Sequence, residues 1–323
     1  MIIGVVVATF NGEKYICEQL LSIINQTLKP NFIIISDAKS TDETTSLCEK
    51  ILSKQQDIEF SIIKSNDQLN VTENFNNGLR RCNADYIFMC DQDDVWVENK
   101  IEVTIKAMVD HKACLGFTNA RIVDSNLKSL SISLWEKIGI ICNKEFVVFD
   151  PSTGELMDIL LRKNIVTGMC TCLSDELLSV ALDIPTTTIH DAWLAMVASC
   201  NGRVVAINKE CVLYRQHMKN QIGVKKTFRK TISNARTYKQ KLHDRIDTMQ
   251  VFMGRYSNAI NTEIEYKLRK YEKFLLYRFQ YLNGGRKKIK DHKKFYKMFF
   301  DENDYRGIII KDWIYRNILS RVL

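Results

Sequence analysis

The sequence predicts an α/β protein: parallel strands with helices on both faces of the sheet, then a basic, mainly helical region. Three observations predict this. Apolar, β-rich runs alternate with stretches of helical periodicity across residues 1–111. Polar segments follow the first, second and fourth of those runs, at the sheet edge where such folds bind ligands. Charge is also split along the chain. Residues 218–323 hold 26 Lys and Arg against 10 Asp and Glu, leaving 20 and 28 of the chain's 46 and 38 for residues 1–217.

Each element follows from its pattern. "IIGVVVAT" (2–9) is a continuous apolar run, as in a strand buried on both faces. Residues 12–26 carry Ile16, Leu20, Ile23 and Ile24 at helical spacing. "FIIIS" (32–36) is the second strand, and a helix follows with Ser40 or Thr41 as its cap. Residues 58–64 form the third strand and 72–82 the third helix. "DYIFMC" (85–90) is the fourth strand, followed by a helix over 99–111. Beyond Lys112 the pattern loosens. Strand and turn are expected at 113–124, a helix at 155–162, and a strand and then a helix within 165–182. A further helix spans 190–200, with Asp191 in its first turn, and a strand lies within 203–217. Basic helices fill the chain from Lys225; the last puts Ile310, Trp313, Ile314, Ile318 and Val322 on one face.

Composition narrows the function. A chain of 323 residues suits one large catalytic-sized domain plus an appendage. The N-terminus lacks a basic segment before its apolar run, so it reads as a buried strand and not as a secretory signal. No run of about 18 apolar residues occurs, against a spanning helix. Ten cysteines without a paired framework fit reduced, buried thiols, and so a cytoplasmic protein. No nucleic-acid-binding motif accompanies the basic charge.

The stretch "YIFMCDQDDVW" (86–96) ends a buried-looking strand in Asp91, Asp93 and Asp94. Three carboxylates this close repel one another. Hard divalent cations, Mg²⁺ or Mn²⁺, take such oxygen ligands and keep positions open for substrate phosphates. The plainer reading is a solvated acidic turn ahead of the next helix. The buried strand before it and Trp96 after it favour a site.

Further segments carry a resemblance. "VVVATFNGEKYICEQLLSIINQT", "DYIFMCDQDDVWVENKI", "RNIVTGMCTCL", "HDAWLAMVAS" and "LYRQH" occur in the order seen in family 2 glycosyltransferases. The chain is most similar to their bacterial rhamnosyltransferase-like branch, over roughly residues 1–220. The resemblance implies a GT-A type nucleotide-diphospho-sugar transferase fold, with a Rossmann-like mixed sheet, in residues 1–220. Residues 221–323 then form a basic helical extension. It also implies a nucleotide-diphosphate sugar donor, a divalent metal and inversion at the anomeric carbon. Ala8 and Thr9 match positions bordering the nucleoside, and Asn11 and Asp37 lie in the same donor-side loops. Asp91, Asp93 and Asp94 match the region that holds metal and diphosphate. Asp191 matches the general base, and a helix N-terminus favours its charged form. Arg215 and His217 match a cluster that closes over the diphosphate, Arg215 as a phosphate fork and His217 as a metal ligand. Asn164, Thr167 and Gly168 match the acceptor side. His190, Trp96 and Trp193 read as packing residues.

The chain departs from the family at two places. After the second strand it reads Asp37-Ala38-Lys39-Ser40 where relatives read Asp-Asp-Gly-Ser. Ala38 cannot accept from a base imide, and Lys39 makes left-handed backbone costlier than Gly would. Asn70 and Glu73 stand where relatives often carry Gly and a basic residue.

The leading expectation is therefore an inverting, metal-dependent glycosyltransferase of bacterial surface polysaccharide or lipopolysaccharide assembly. Rhamnose is the first guess for the sugar, and a saccharide or lipid-linked molecule is the acceptor. The basic extension reads either as solvated helix faces or as a contact with an anionic membrane surface, peripheral on the inner face of the cell membrane. Homo-oligomerisation through the Trp313 face is a further possibility. The alternatives are a nucleotidyltransferase, which would show a Gly-rich basic loop after strand one, and a catalytically weakened nucleotide-sugar binder or membrane scaffold.

Overall fold

The first apolar run forms β1 (Ile3–Thr9), in which every residue is buried. Successive side chains point to opposite faces, so both faces of this strand are covered. Each fully buried Val or Ile of this kind contributes about 1.5–3 kcal/mol relative to exposure. The computed structural model describes residues 1–217, 231–284, 308–309, 311–313 and 315–316.

The chain continues through α1 (Ile16–Ile24), β2 (Phe32–Asp37), α2 (Thr44–Leu52), β3 (Glu59–Lys64) and α3 (Val71–Leu79). Next come β4 (Tyr86–Asp91), the two-residue β5 (Val95–Trp96), α4 (Lys100–His111) and the long β6 (Ala113–Val123). A less regular stretch holds β7 (Ser129–Ser133), α5 (Leu134–Lys137), β8 (Phe146–Phe149) and α6 (Glu155–Arg162). After a 3₁₀ turn at Gly168–Cys170 follow β9 (Thr171–Ser174), α7 (Asp175–Ala181), α8 (His190–Asn201) and β10 (Arg203–Arg215). The basic region contributes α9 (Thr231–Tyr256) and α10 (Thr262–Leu282).

These strands make one mixed sheet in the order β3-β2-β1-β4-β9-β6-β10-β5, with β7 on β6 and β8 on β10. The first four are parallel, as strand-helix alternation predicts. Short β9 then inserts antiparallel between β4 and β6. The register aligns Ala8 with both Asp91 and Ser36, so the loops after β1, β2 and β4 leave the sheet at one edge. Ile16, Leu20 and Ile23 of α1 and Ile101 and Ile105 of α4 join Val5, Val7, Ile33 and Phe88 in the main core.

Three local outcomes differ from the sequence reading. Helix α2 begins at Thr44 after Glu43, without a side-chain cap. Ser40 is instead turned back to the Asp37 carboxylate, and the Thr41 N–H donates to Asn11 Oδ1. Helix α1 starts at Ile16, because the N–H groups of Tyr15 and Ile16 both turn back to the Gly12 carbonyl. At α3, the departures Asn70 and Glu73 form a capping box: Asn70 Oδ1 accepts from the Glu73 N–H, and Glu73 accepts from the Asn70 N–H.

The described residues fall into two compact units, one of residues 1–156 and 164–217, the other of residues 157–163 and the described residues beyond 217. In the second unit Lys267 pairs with Asp158 at 2.8 Å, and the Arg245 guanidinium donates to the Leu161 carbonyl at 2.7 Å. Its buried Asp312 pairs with Arg278 at 2.9 Å and accepts from the Tyr238 hydroxyl at 2.8 Å. Trp313 is 54% exposed, while Ile310, Ile314, Ile318 and Val322, expected to share its face, lie outside the described residues, as do residues 225–230. All ten cysteines are free. No helix among the described residues is long and apolar enough to cross a membrane.

Candidate active site

Two loops frame one side of the sheet edge. The Thr9 hydroxyl donates to Asp37 Oδ1 at 2.8 Å, and the Ser40 hydroxyl donates to the same oxygen at 2.6 Å. Asp37 Oδ2 accepts from the Ser40 N–H at 2.8 Å. Asp37 is thus committed to closing the loop on β1. The turn between them places Lys39 at φ 67, the left-handed region where a non-glycine residue is strained. Asn11 is also left-handed, at φ 48, and its N–H donates to Ser40 Oγ at 2.8 Å. Ala8 is buried beside Thr9, and the Thr9 carbonyl accepts from Asn74 of α3 at 3.1 Å.

The acidic loop sits beside them. Gln92, between the aspartates, accepts from the Phe10 N–H at 2.8 Å and donates to the Phe10 carbonyl at 3.0 Å. The side chain extends the β1–β4 pairing by one step, and a β-carbon on Gly12 would collide with its amide. Asp94 is 1% exposed, and its Oδ1 accepts from the Arg215 N–H at 2.9 Å. Its Oδ2 is buried without a hydrogen-bond partner. Asp93 Oδ2 lies 2.7 Å from His217 Nε2. Burial first, then repulsion from Asp93 and Asp191, raises the Asp91 carboxyl to about 7. Burial and the charges of Asp93 and Asp91 push Asp94 well above the ordinary carboxylate range.

Among the described residues, no three His, Cys, Asp or Glu side chains are gathered as a metal site. The donor set nevertheless fits a hard cation. The oxygens that would hold it are carboxylate oxygens, one of them orphaned in the interior, and burial and neighbouring charge disfavour the ionised forms of Asp91 and Asp94.

Arg215 is turned into the protein. Its guanidinium donates to the carbonyls of Asp93 (2.7 Å) and Ser125 (2.8 Å) and pairs with Glu18. It also lies 4.6 Å from the Tyr15 ring centroid. The side chain is 2% exposed. With a donor on each guanidinium nitrogen engaged by the protein, Arg215 ties β10 to the acidic loop and to α1. Only His217 of that segment reaches the carboxylates by its side chain, stacked 4.8 Å from Tyr15.

Asp191 lies at the start of α8, 6% exposed. Its Oδ1 accepts from Asn164 Nδ2 at 2.9 Å and its Oδ2 from the Gly168 N–H at 3.1 Å. Both partners come from the segment expected on the acceptor side, and together they fix the orientation of this carboxylate. Burial outweighs these bonds and raises Asp191 to about 6, whereas the helix terminus alone predicts a fully stabilised charge. His190 is buried, 4.1 Å from the Phe75 ring centroid, and burial drives it down to about 3. A β-carbon on Gly168 would collide with His190 Nε2, so the Asp191 donor and the histidine share one tight contact. Trp193 donates to the Ala181 carbonyl at 3.0 Å in the core, and Trp96 is 3% exposed. Both are packing residues.

Sequence reasoning missed Gln92, Tyr15, Glu18 and Lys100. Gln92 stood inside the acidic motif and Glu18 in the first turn of α1, but neither side chain's partner is sequence-local. Lys100 stood as one residue of an expected helix; it is fully buried, its Nζ 2.6 Å from the Met169 carbonyl.

Comparison with known proteins gives this geometry a context. A sequence model of glycosyl transferase family 2 matches residues 4–160. The dTDP-rhamnosyl transferase RfbG of Shigella flexneri is 31% identical over 230 residues, 69% of this chain and 75% of RfbG. The Escherichia coli enzyme WfaP, a UDP-Glc:α-D-GlcNAc-diphosphoundecaprenol β-1,3-glucosyltransferase, is 30% identical over 36% of this chain and 45% of its own. Among solved structures, S. aureus TarS 1–349 in complex with UDP-GlcNAc superposes with a TM-score of 0.58 at 15% identity. The match covers 98% of this chain and 90% of TarS, and at that identity it speaks for the fold.

Proposed function

This chain belongs to glycosyl transferase family 2, and from that premise we propose that it is an inverting transferase moving a sugar from a nucleotide-diphosphate donor to a saccharide or lipid-linked acceptor in bacterial surface polysaccharide assembly. Deoxythymidine-diphospho-rhamnose is the first donor to test, on the likeness to RfbG. The observation that carries the reading is the Asp191 carboxylate. It is buried, aimed by Asn164 and Gly168, and raised to about 6, so it is ionised at neutral pH yet basic enough to take a proton.

In this reading Asp191 removes the proton of the acceptor hydroxyl as that oxygen attacks the anomeric carbon. The bond from the anomeric carbon to the diphosphate oxygen breaks on the opposite face, and the nucleoside diphosphate leaves. Asp91, Asp93 and Asp94, with His217, would hold Mg²⁺ or Mn²⁺, which neutralises charge on the departing diphosphate. Gln92 holds the acidic loop against the donor-side loop at Phe10, and Arg215 holds its other flank. Ala8, Thr9 and Asn11 border the nucleoside; with Asp37 already engaged by Thr9 and Ser40, its part is to shape that border.

The test is a panel of nucleotide sugars with Mn²⁺ and candidate acceptors, read as nucleoside diphosphate release. Transfer by the wild type, with Asp191→Asn binding donor but not transferring, supports the assignment. Equal transfer by Asp191→Asn overturns it.

For the basic extension we propose association with an anionic bilayer, where a lipid-linked acceptor would be found. Each Lys or Arg near such a surface contributes about 1 kcal/mol. Its support is the excess of 26 Lys and Arg over 10 Asp and Glu in residues 218–323.

A further inference from the structure

Lys100 occupies an unfavourable place. It is the first residue of α4, where the helix dipole disfavours a cation, and it is 0% exposed, where an ammonium loses its hydration. Two contacts compensate. Nζ donates to the Met169 carbonyl at 2.6 Å and lies 3.5 Å from the centroid of the Trp96 ring, with Phe88 further off at 5.8 Å. The ionisable groups that act on it are Asp91 and Asp94 of the acidic loop and the thiols of Cys90, Cys170, Cys172 and Cys211.

Its two contacts belong to different halves of the site. Trp96 closes the acidic loop two residues after Asp94, pairs with Val212 of β10, and donates its backbone N–H to the Ser22 hydroxyl of α1. Met169 lies in the 3₁₀ turn Gly168–Cys170, whose first N–H donates to Asp191. One ammonium therefore touches the ring that ends the acidic loop and the turn that aims the carboxylate. A Met or Leu would fill this interior without the costs of a buried charge.

We propose that Lys100 is a positioning residue: its buried ammonium couples the acidic loop, through Trp96, to the turn that orients Asp191, through Met169, and so fixes the spacing between proton acceptor and leaving group. The catalytic consequence rests on Asp191 acting as the base; the mechanical link does not. Misplacement by about 1 Å in a site of this kind costs on the order of 10²-fold in rate.

The experiment compares full-length wild type with Lys100→Met and Lys100→Gln. Gln keeps a donor for the Met169 carbonyl and loses the charge, and it carries the test if the Met variant does not fold. Amide hydrogen exchange is read on peptides covering residues 91–97 and 166–172, with thermal unfolding and, for any donor the wild type turns over, kcat and KM. The expected result is a cooperative fold, faster exchange in both segments together, and kcat lower by on the order of 10²-fold with donor KM little changed. The Gln variant falls between wild type and Met. Faster exchange confined to one segment, or to neither, overturns the coupling. Coupled exchange with kcat unchanged overturns the positioning role. Coupled exchange in a protein whose Asp191→Asn variant still transfers leaves the link standing and removes the assignment of Asp191 instead.

Discussion

The side chain of Gln92 reads both backbone groups of Phe10, accepting at 2.8 Å and donating at 3.0 Å. A carboxamide can do this and a carboxylate cannot, because a carboxylate lacks the donor. The pair joins the loop after β1 to the loop after β4 at the height of the aspartates.

Gln92→Glu is expected to lose about 0.5–1.5 kcal/mol of stability through the lost donor, with a weaker donor affinity. Gly12→Ala should cost about 1–3 kcal/mol by overpacking against the Gln92 amide. In the Gly12→Ala/Gln92→Ala double variant most of that steric part disappears. Urea unfolding of the four-member cycle measures the coupling, and simple additivity would show that the contact is not the cause.

The pH profile should have an acid limb set by Asp191. Its carboxyl is raised to about 6, and the base must be ionised, so kcat/KM rises as pH increases through about 6. Stability runs the other way. A folded-state value above the unfolded one means that Asp191 favours folding most below about pH 4, and this contribution is lost as pH rises toward about 6. Rate profiles and unfolding curves of wild type and Asp191→Asn between pH 4.5 and 8 separate the two.

Removal of acidic-loop carboxylates should act on binding. Asp93→Ala and Asp94→Ala are expected to abolish the part of donor affinity that depends on Mn²⁺, whereas Asp191→Asn keeps it. Calorimetry with donor, with and without chelator, measures this; equal loss in all three variants would erase the division of roles.

Arg215→Lys should fail to replace Arg215. A single ammonium cannot reach the Asp93 and Ser125 carbonyls and Glu18 together. Each buried hydrogen bond lost from a charged donor costs about 1.5–3 kcal/mol. Glu18 is half exposed, so the two carbonyl contacts dominate the loss. A lowered melting temperature with a loosened Asp93 loop is the expected signature.

Exchanging Lys225, Lys226, Arg229 and Lys230 for Ser in the full chain should weaken binding to vesicles containing anionic lipid by about 4 kcal/mol if all four lie at the surface. The effect should fade at high salt. Flotation with neutral vesicles is the control, and unchanged binding to anionic ones removes the membrane reading.

Much of the sheet was legible because buried parallel strands write continuous apolar runs, as in β1, β2 and β4. Asp191 stands in the first turn of α8 and Asp91 at the end of β4, the places the sequence pattern predicts for them. The strand expected within 165–182 is β9, but its antiparallel place between β4 and β6 was hidden, because four residues of "TCLS" carry too short a pattern to fix direction or neighbours. The internal roles of Arg215, Gln92 and Lys100 were hidden for a common reason: they bond to backbone groups 69 to 122 positions away, and backbone partners leave no residue-type trace in a sequence.

Residues 157–163 fold with the second unit although 164–217 return to the first. The polypeptide is therefore stitched through both bodies, and a gene shortened at the obvious seam near residue 220 is expected to yield a less stable fragment than the full chain. It would strand Asp158 without Lys267 and the Leu161 carbonyl without Arg245, leaving an orphaned helix in the middle of what was kept.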